Sequence, residues 1–176
     1  MGTLYDPVES DLASFRIQFI LSPELWKKFN IDDINVDYSK WARVKMIGED
    51  GRINPETNKI PDKYGGIYAY VIISPIIPNA CNHIMYVGMA TKTKTENLRA
   101  RVRSYQAQFG DKYNRSKLHS LFTKWGDYVH VYYLPMSSSA EDIRMLEDRL
   151  IATYGKPPCN KEVLIKSVKD AVDAAF

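Results

Sequence analysis

A chain of 176 residues, 45% hydrophobic and 26% charged with a mean hydropathy of −0.34, has the length of one domain and the composition of an ordinary soluble globular protein. No apolar run approaches the roughly 18 residues of a membrane span, and MGTLYDPVES lacks the basic start and apolar core of a signal peptide, so the expected setting is cytoplasmic, with no membrane partner. Two cysteines and three dispersed histidines exclude a disulfide framework and argue against a structural zinc, while the net charge of +3 hides a local +7 over residues 92–124, an asymmetry shared by phosphate-facing surfaces and by solvated helix faces.

In chain order, SPELWKKFN predicts a short helix with Ser22 as cap, Pro23 in first position and Leu25, Trp26 and Phe29 at helical spacing. WARVKMI predicts a strand ended by the Asp50, Gly51 turn, and INPETNKIPDKY a loop. GGIYAYVII and HIMYVGM, separated by SPIIPNACN with its two prolines, predict a hairpin. TENLRARVRSY predicts a helix capped by Thr95, with Leu98, Val102 and Tyr105 on a buried stripe, Arg99 and Arg103 on the wet side and Arg101 on the rim. A second helix, NRSKLHSLFTKW, buries Leu118, Leu121, Phe122 and Trp125; DYVHVYYL alternates as a strand. SSSAEDIRMLEDRLIATYG predicts a helix with Ser139 and Asp142 as a capping box, ended by Gly155 and the Pro157, Pro158 pair. EVLIKSVKDAVDAAF is amphipathic through Leu164, Ile165, Val168, Val172 and Ala175, suited to packing on the domain or to a partner.

Two features resist a packing explanation. The strand in KYGGIYAYVI carries two glycines, which pack nothing, and two tyrosines, whose buried phenols need hydrogen-bond partners. In the helix around residues 143–154, Ile143, Leu146, Leu150, Ile151 and Tyr154 define an apolar stripe, and Glu147 falls inside it, about 40° from Ile143, while Asp148 and Glu141 point to water. A carboxylate on a packing face costs several kcal/mol unless it is paired or bound to a cation, so Glu147 is either a structural salt-bridge partner, with Arg101 as the candidate, or part of a functional site.

The order Gly66, Ile67, Tyr68 on a first strand, Tyr86, Val87, Gly88 on a second, Arg101 in the next helix, Glu147 in a later one and Asn160 after a proline-containing turn resembles the five-part signature of the GIY-YIG nucleases. The resemblance runs from residue 66 to 160, and all five parts are present. The chain departs from the pattern at Met89, where many members carry a polar residue, at Tyr105, where homing-type members have histidine, and in the TKTKT insert. The resemblance implies a one-metal hydrolysis of DNA with Tyr68, Tyr86, Arg101, Glu147 and Asn160 catalytic. Glu147 holds Mg²⁺ (or Mn²⁺), Arg101 contacts the scissile phosphate, and Tyr68 relays or accepts the proton of the attacking water. Tyr86 positions that water or the phosphate, and Asn160 holds a catalytic element through its amide. Lys92, Lys94, Arg99, Arg103, Arg115 and Lys117 would track the DNA backbone, and each is equally readable as a solvated charge; His119 reads as an exposed helix residue. Gly65 and Gly66 would admit backbone or substrate, and Tyr70 is expected to face away from Tyr68, into the core.

The expected fold is therefore α+β, a small, mostly antiparallel central sheet flanked by helices. The expected organisation is an N-terminal extension (1–60) packed on a nuclease-like domain (61–162), with a C-terminal amphipathic helix (163–176). Homodimer formation and DNA specificity are two roles open to the extension. The expected function is a DNA endonuclease; the alternative is a catalytically inactive nucleic-acid-binding module that keeps the fold.

Overall fold

The structure, a computed structural model, describes residues 23–28, 37–77, 80, 82–104 and 116–161. The expected C-terminal helix, Tyr105 and Arg115 lie outside these residues. Four antiparallel strands form one sheet in the order β1-β4-β2-β3: β1 is Ala42–Lys45, β2 Gly65–Ile73, β3 Asn82–Ala90 and β4 Val129–Met136. The helices are α1 (Pro23–Lys28), α2 (Leu98–Arg103), α3 (Ser116–Trp125) and α4 (Ala140–Thr153). This is the α+β architecture the sequence predicts. Among the described residues no helix is long and apolar enough to cross a membrane.

Strand β2 lies between β4 and β3 and is covered on both faces, which is why its first seven residues are all buried and its sequence reads as a continuous apolar run. On one face Tyr68, Tyr70, Ala90, Val131 and Tyr133 pack with Leu98 and Val102 of α2 and Leu118, Leu121 and Phe122 of α3. On the other, Ile67, Ala69, Val71, Val87 and Leu134 pack with Ile143, Leu146 and Ile151 of α4. Residues 42–60 are built into this core: β1 pairs with β4, and Val44, Met46, Ile47 and Ile60 are buried. The INPETNKIPDKY loop contains a 3-10 turn at Pro55–Lys59, capped by Asn54.

The register corrects one expectation. Tyr68 and Tyr70 are two residues apart, so the strand period places them on the same face, with ring centroids 5.6 Å apart. Tyr70 is core, as expected, but beside Tyr68. Its hydroxyl donates to the Val102 carbonyl at 3.3 Å, tying the tyrosine face to α2 next to Arg101. Opposite Tyr70 the pairing slips: Tyr70 pairs with Tyr86 and Val71 with Ile84, leaving Met85 as the extra residue of a bulge. Met85 and Tyr86 therefore both turn toward the tyrosine face.

Two caps fix the helices that carry the arginine and the carboxylate. Helix α2 is capped by Asn97, whose side chain accepts from Ala100 N–H; Thr95, the expected cap, lies two residues outside it. Helix α4 has the predicted capping box between Ser139 and Asp142. Its end is set by Gly155 and Lys156, both in the left-handed region (φ 58 and 61), which turn the chain toward the edge of β3.

Candidate active site

The site is assembled around the single peptide unit joining Gly88 to Met89. Gly88 pairs directly with Tyr68 across the β2–β3 ladder. A methyl placed on Gly88 would lie 2.6 Å from Cζ and the hydroxyl of Tyr68 and 2.6 Å from Cε1 of Tyr86, so both rings rest on this glycine. Tyr86 stacks on Tyr70 at 5.8 Å and lies 6.1 Å from Tyr68. Tyr68 is fully buried and Tyr86 half-buried, so of the two phenols Tyr86 is the one that meets solvent.

The N–H of Met89 belongs to the same peptide unit and acts as a hydrogen-bond donor to Glu147. This geometry follows from sheet topology: β3 is an edge strand, and alternate residues turn their backbone groups away from β2. Along that edge Met85 C=O accepts from Cys159 N–H at 2.8 Å, and Val87 donates to Asn160 Oδ1 at 3.0 Å and accepts from Asn160 Nδ2 at 2.8 Å. Asn160 thus pairs like a strand residue through its side chain, held in place by the turn from Pro157 (Asn160 N–H to Pro157 C=O, 2.9 Å). Its amide anchors the Tyr86–Gly88 stretch of β3 through Val87. Replacing Asn160 with Ala leaves two buried backbone groups of Val87 unpaired, at about 1–3 kcal/mol each. Thermal melts should show a loss of about 5–10 °C. Asn160→Asp should be equally damaging, because a carboxylate oxygen then faces the Val87 carbonyl; an Asp variant melting with the wild type would refute this pairing.

Glu147 has a carboxyl pKa raised to about 7. Burial is the main cause and neighbouring Asp148 adds to it, while Arg101, the Met89 N–H and Arg144 pull the other way without prevailing. Asp148 is itself raised by burial. Arg101, half-buried on α2, acts on Glu147 through space, but its ion pair among the described residues is with Glu96, Oε1 to Nε at 3.8 Å. Arg101 and the Met89 N–H thus both bear on Glu147, while Gly88 seats Tyr68 and Tyr86 and Asn160 holds Val87 on the same stretch of β3.

The expected nucleic-acid-binding residues are placed differently. Arg99 donates through Nε to Ile60 C=O at 2.6 Å and pairs with Asp62 at 3.1 Å; Lys92 donates to the Asp62 carbonyl at 3.0 Å. These two cations fasten residues 60–62 to α2 and the end of β3. Arg103 donates to Asn58 at 2.8 Å, Lys117 to the Pro158 carbonyl at 3.0 Å, and Lys94 is exposed. His119, expected to be exposed, is half-buried. Sequence reasoning missed Glu96 and the seating role of Gly88. An acid just ahead of a helix cap, five residues before the arginine, was the available signal for the first.

Among the described residues no group of three or more His, Cys, Asp or Glu could hold a metal, and the carboxyl with the most raised pKa at this site is Glu147. A Mg²⁺ ion that keeps most of its waters suits one carboxylate. The fold and this site together define an α+β domain with a tyrosine, arginine and carboxylate site on its central hairpin. Comparison of the chain with family models, with characterised proteins and with solved structures returns no match.

Proposed function

We propose that the protein is a metal-dependent endonuclease of the GIY-YIG type, hydrolysing DNA phosphodiester bonds with a tyrosine-assisted water. The observation that carries this reading is that Tyr68 and Tyr86 rest on Gly88 while the N–H of the next residue and Arg101 both bear on Glu147, whose carboxyl is raised to about 7. Glu147 is the residue that would hold the ion, which when bound would supply acidity to a water and offset charge on the phosphate. Arg101 engages the non-bridging phosphate oxygens with a planar fork that lysine does not reproduce. Tyr86, the half-buried phenol, orients the attacking water and relays its proton, accepting it while its own hydroxyl proton passes to solvent, and Tyr68 behind it fixes the orientation of Tyr86. Lys94, Arg103, Arg115 and Lys117 serve as backbone-tracking cations, Arg99 and Lys92 as anchors of the 60–62 segment.

The second reading is a nucleic-acid-binding module without turnover, and the complete burial of Tyr68 is what favours it. A supercoiled-plasmid assay separates the two. The purified chain with Mg²⁺ or Mn²⁺ should convert supercoiled to open-circular or linear DNA, and EDTA should abolish the conversion. Salt-sensitive DNA binding with no nicking in either metal would establish the module instead.

A further inference from the structure

Glu96 lies beside Arg101, and an acid next to a phosphate-binding cation calls for an explanation, because by charge alone it repels the substrate. We propose that Glu96 is a positioning residue: it takes the Nε edge of the Arg101 guanidinium, so that the edge turned to the scissile phosphate is the one formed by the two terminal amino groups. This rests on reading Arg101 as the phosphate contact.

Three observations carry it. The Glu96 carboxylate reaches Nε of Arg101, at 3.8 Å, an ion pair longer than a hydrogen bond that orients the group without immobilising it. Both side chains are only about one-third exposed (34% for Arg101, 39% for Glu96) and the Nε atom itself is buried, so water does not reach the edge that Glu96 faces. And the backbone under Glu96 is fixed from both sides. Thr93 Oγ1 accepts from the N–H groups of Thr95 (3.2 Å) and Glu96 (2.9 Å), Thr93 N–H donates to Glu96 C=O (2.9 Å), and Asn97, the next residue, is the cap of α2. The TKTKT insert thus builds a rigid turn whose product is a carboxylate aimed at the arginine. A guanidinium can clamp an oxyanion through its side edge (Nε with one amino group) or its end edge. An acid standing at Nε selects the second. The nearby Arg99 is committed to Asp62 and Ile60, and Arg103 reaches Asn58, which leaves Arg101 as the cation Glu96 addresses.

The test combines ¹⁵N-arginine NMR with nicking kinetics on wild type, Glu96→Ala and Glu96→Gln, the Arg101 Nε–H signal being assigned by its loss in Arg101→Lys. Glu96→Ala should shift and broaden that signal and lower kcat roughly tenfold or more without raising KM, since misplacing a reacting contact slows turnover. Glu96→Gln, which keeps an oxygen at the position, should recover most of kcat. An Nε–H signal unmoved in Glu96→Ala overturns the proposal, as does a lowered KM with unchanged kcat in both variants, the pattern of a mere counter-charge. Should wild type fail to nick while the signal moves, the nuclease reading falls and the placement of Arg101 by Glu96 stands.

Discussion

Glu147→Gln should abolish nicking, by about a thousandfold or more, and at the same time raise the melting temperature at pH 8. The first effect follows, on the proposed function, from removing the charge that would hold the ion, whose contribution to transition-state stabilisation would be several kcal/mol, each ~1.4 kcal/mol being a factor of ten. The second comes from linkage. The carboxyl pKa is about 7 in the folded protein against an ordinary 4.5, mainly because burial disfavours the charged form. Below pH 4.5 both states are protonated and the group is neutral toward folding. As pH rises through the interval from 4.5 to about 7 the unfolded chain gives up its proton and the folded one retains it, so stability is progressively lost. An amide carries no such penalty. The variant should melt a few degrees above metal-free wild type at pH 8 and level with it at pH 4, the gain being limited by the partial exposure of the side chain. Saturating Mg²⁺ should raise the wild-type melting temperature and leave the variant unchanged. Metal affinity of the wild type should weaken as pH falls below about 7, where a proton competes for the carboxylate. Thermal melts over this pH range, with and without Mg²⁺, check all of this; a variant that melts lower than wild type at pH 8, or one that still nicks, removes Glu147 from the metal site.

That carboxylate was visible in the sequence because helical periodicity is a strong signal over fourteen residues and a charge inside an apolar stripe breaks it. The hairpin was equally legible, since β2 is buried on both faces and its composition says so. Other features depend on contacts between distant segments, which no local pattern reports. Thr95 and Asn97 are both acceptable caps; only the path of the chain after the Thr93 turn makes Asn97 the one that meets Ala100 N–H. The bulge at Met85, which brings Tyr86 round to the tyrosine face, leaves no mark in HIMYVGM. The local +7 suggested a phosphate-facing surface, yet Arg99 and Lys92 serve to fasten residues 60–62, because a carbonyl and a carboxylate from Ile60 and Asp62 lie within their reach. Charge density was readable; what each charge touches was not. For Tyr70 the miss had a simpler origin, since the two-residue period of a strand already required it to share a face with Tyr68.

Gly88→Ala is expected to be the most damaging single methyl that the site can receive without a backbone penalty. At Gly66 the left-handed φ of 141 and a Leu134 carbonyl 2.1 Å from any added Cβ make substitution a folding defect, which says nothing about chemistry. Gly88 has no such φ, so an alanine there tests space alone. The atoms it meets at 2.6 Å are Cζ and the hydroxyl of Tyr68 and Cε1 of Tyr86, and neither ring can simply swing away. Tyr68 is fully buried against Tyr70; Tyr86 stacks on Tyr70, which in turn meets Phe122 edge-on at 5.0 Å. Overpacking of this kind costs about 1–3 kcal/mol, a loss of several degrees in the melt. Displacing the phenols by about an ångström should cost nicking roughly a hundredfold. Tyr68→Phe provides the comparison, because it removes one hydroxyl from the same spot and leaves the ring. If the collision is real, the stability losses of Gly88→Ala and Tyr68→Phe should fall short of additive in the double variant, the missing hydroxyl relieving part of the crowding. Strict additivity, or a Gly88→Ala protein that melts and nicks like wild type, would mean that the two phenols do not share this glycine, and the site described for the β2–β3 hairpin would lose the feature that brings its tyrosines together.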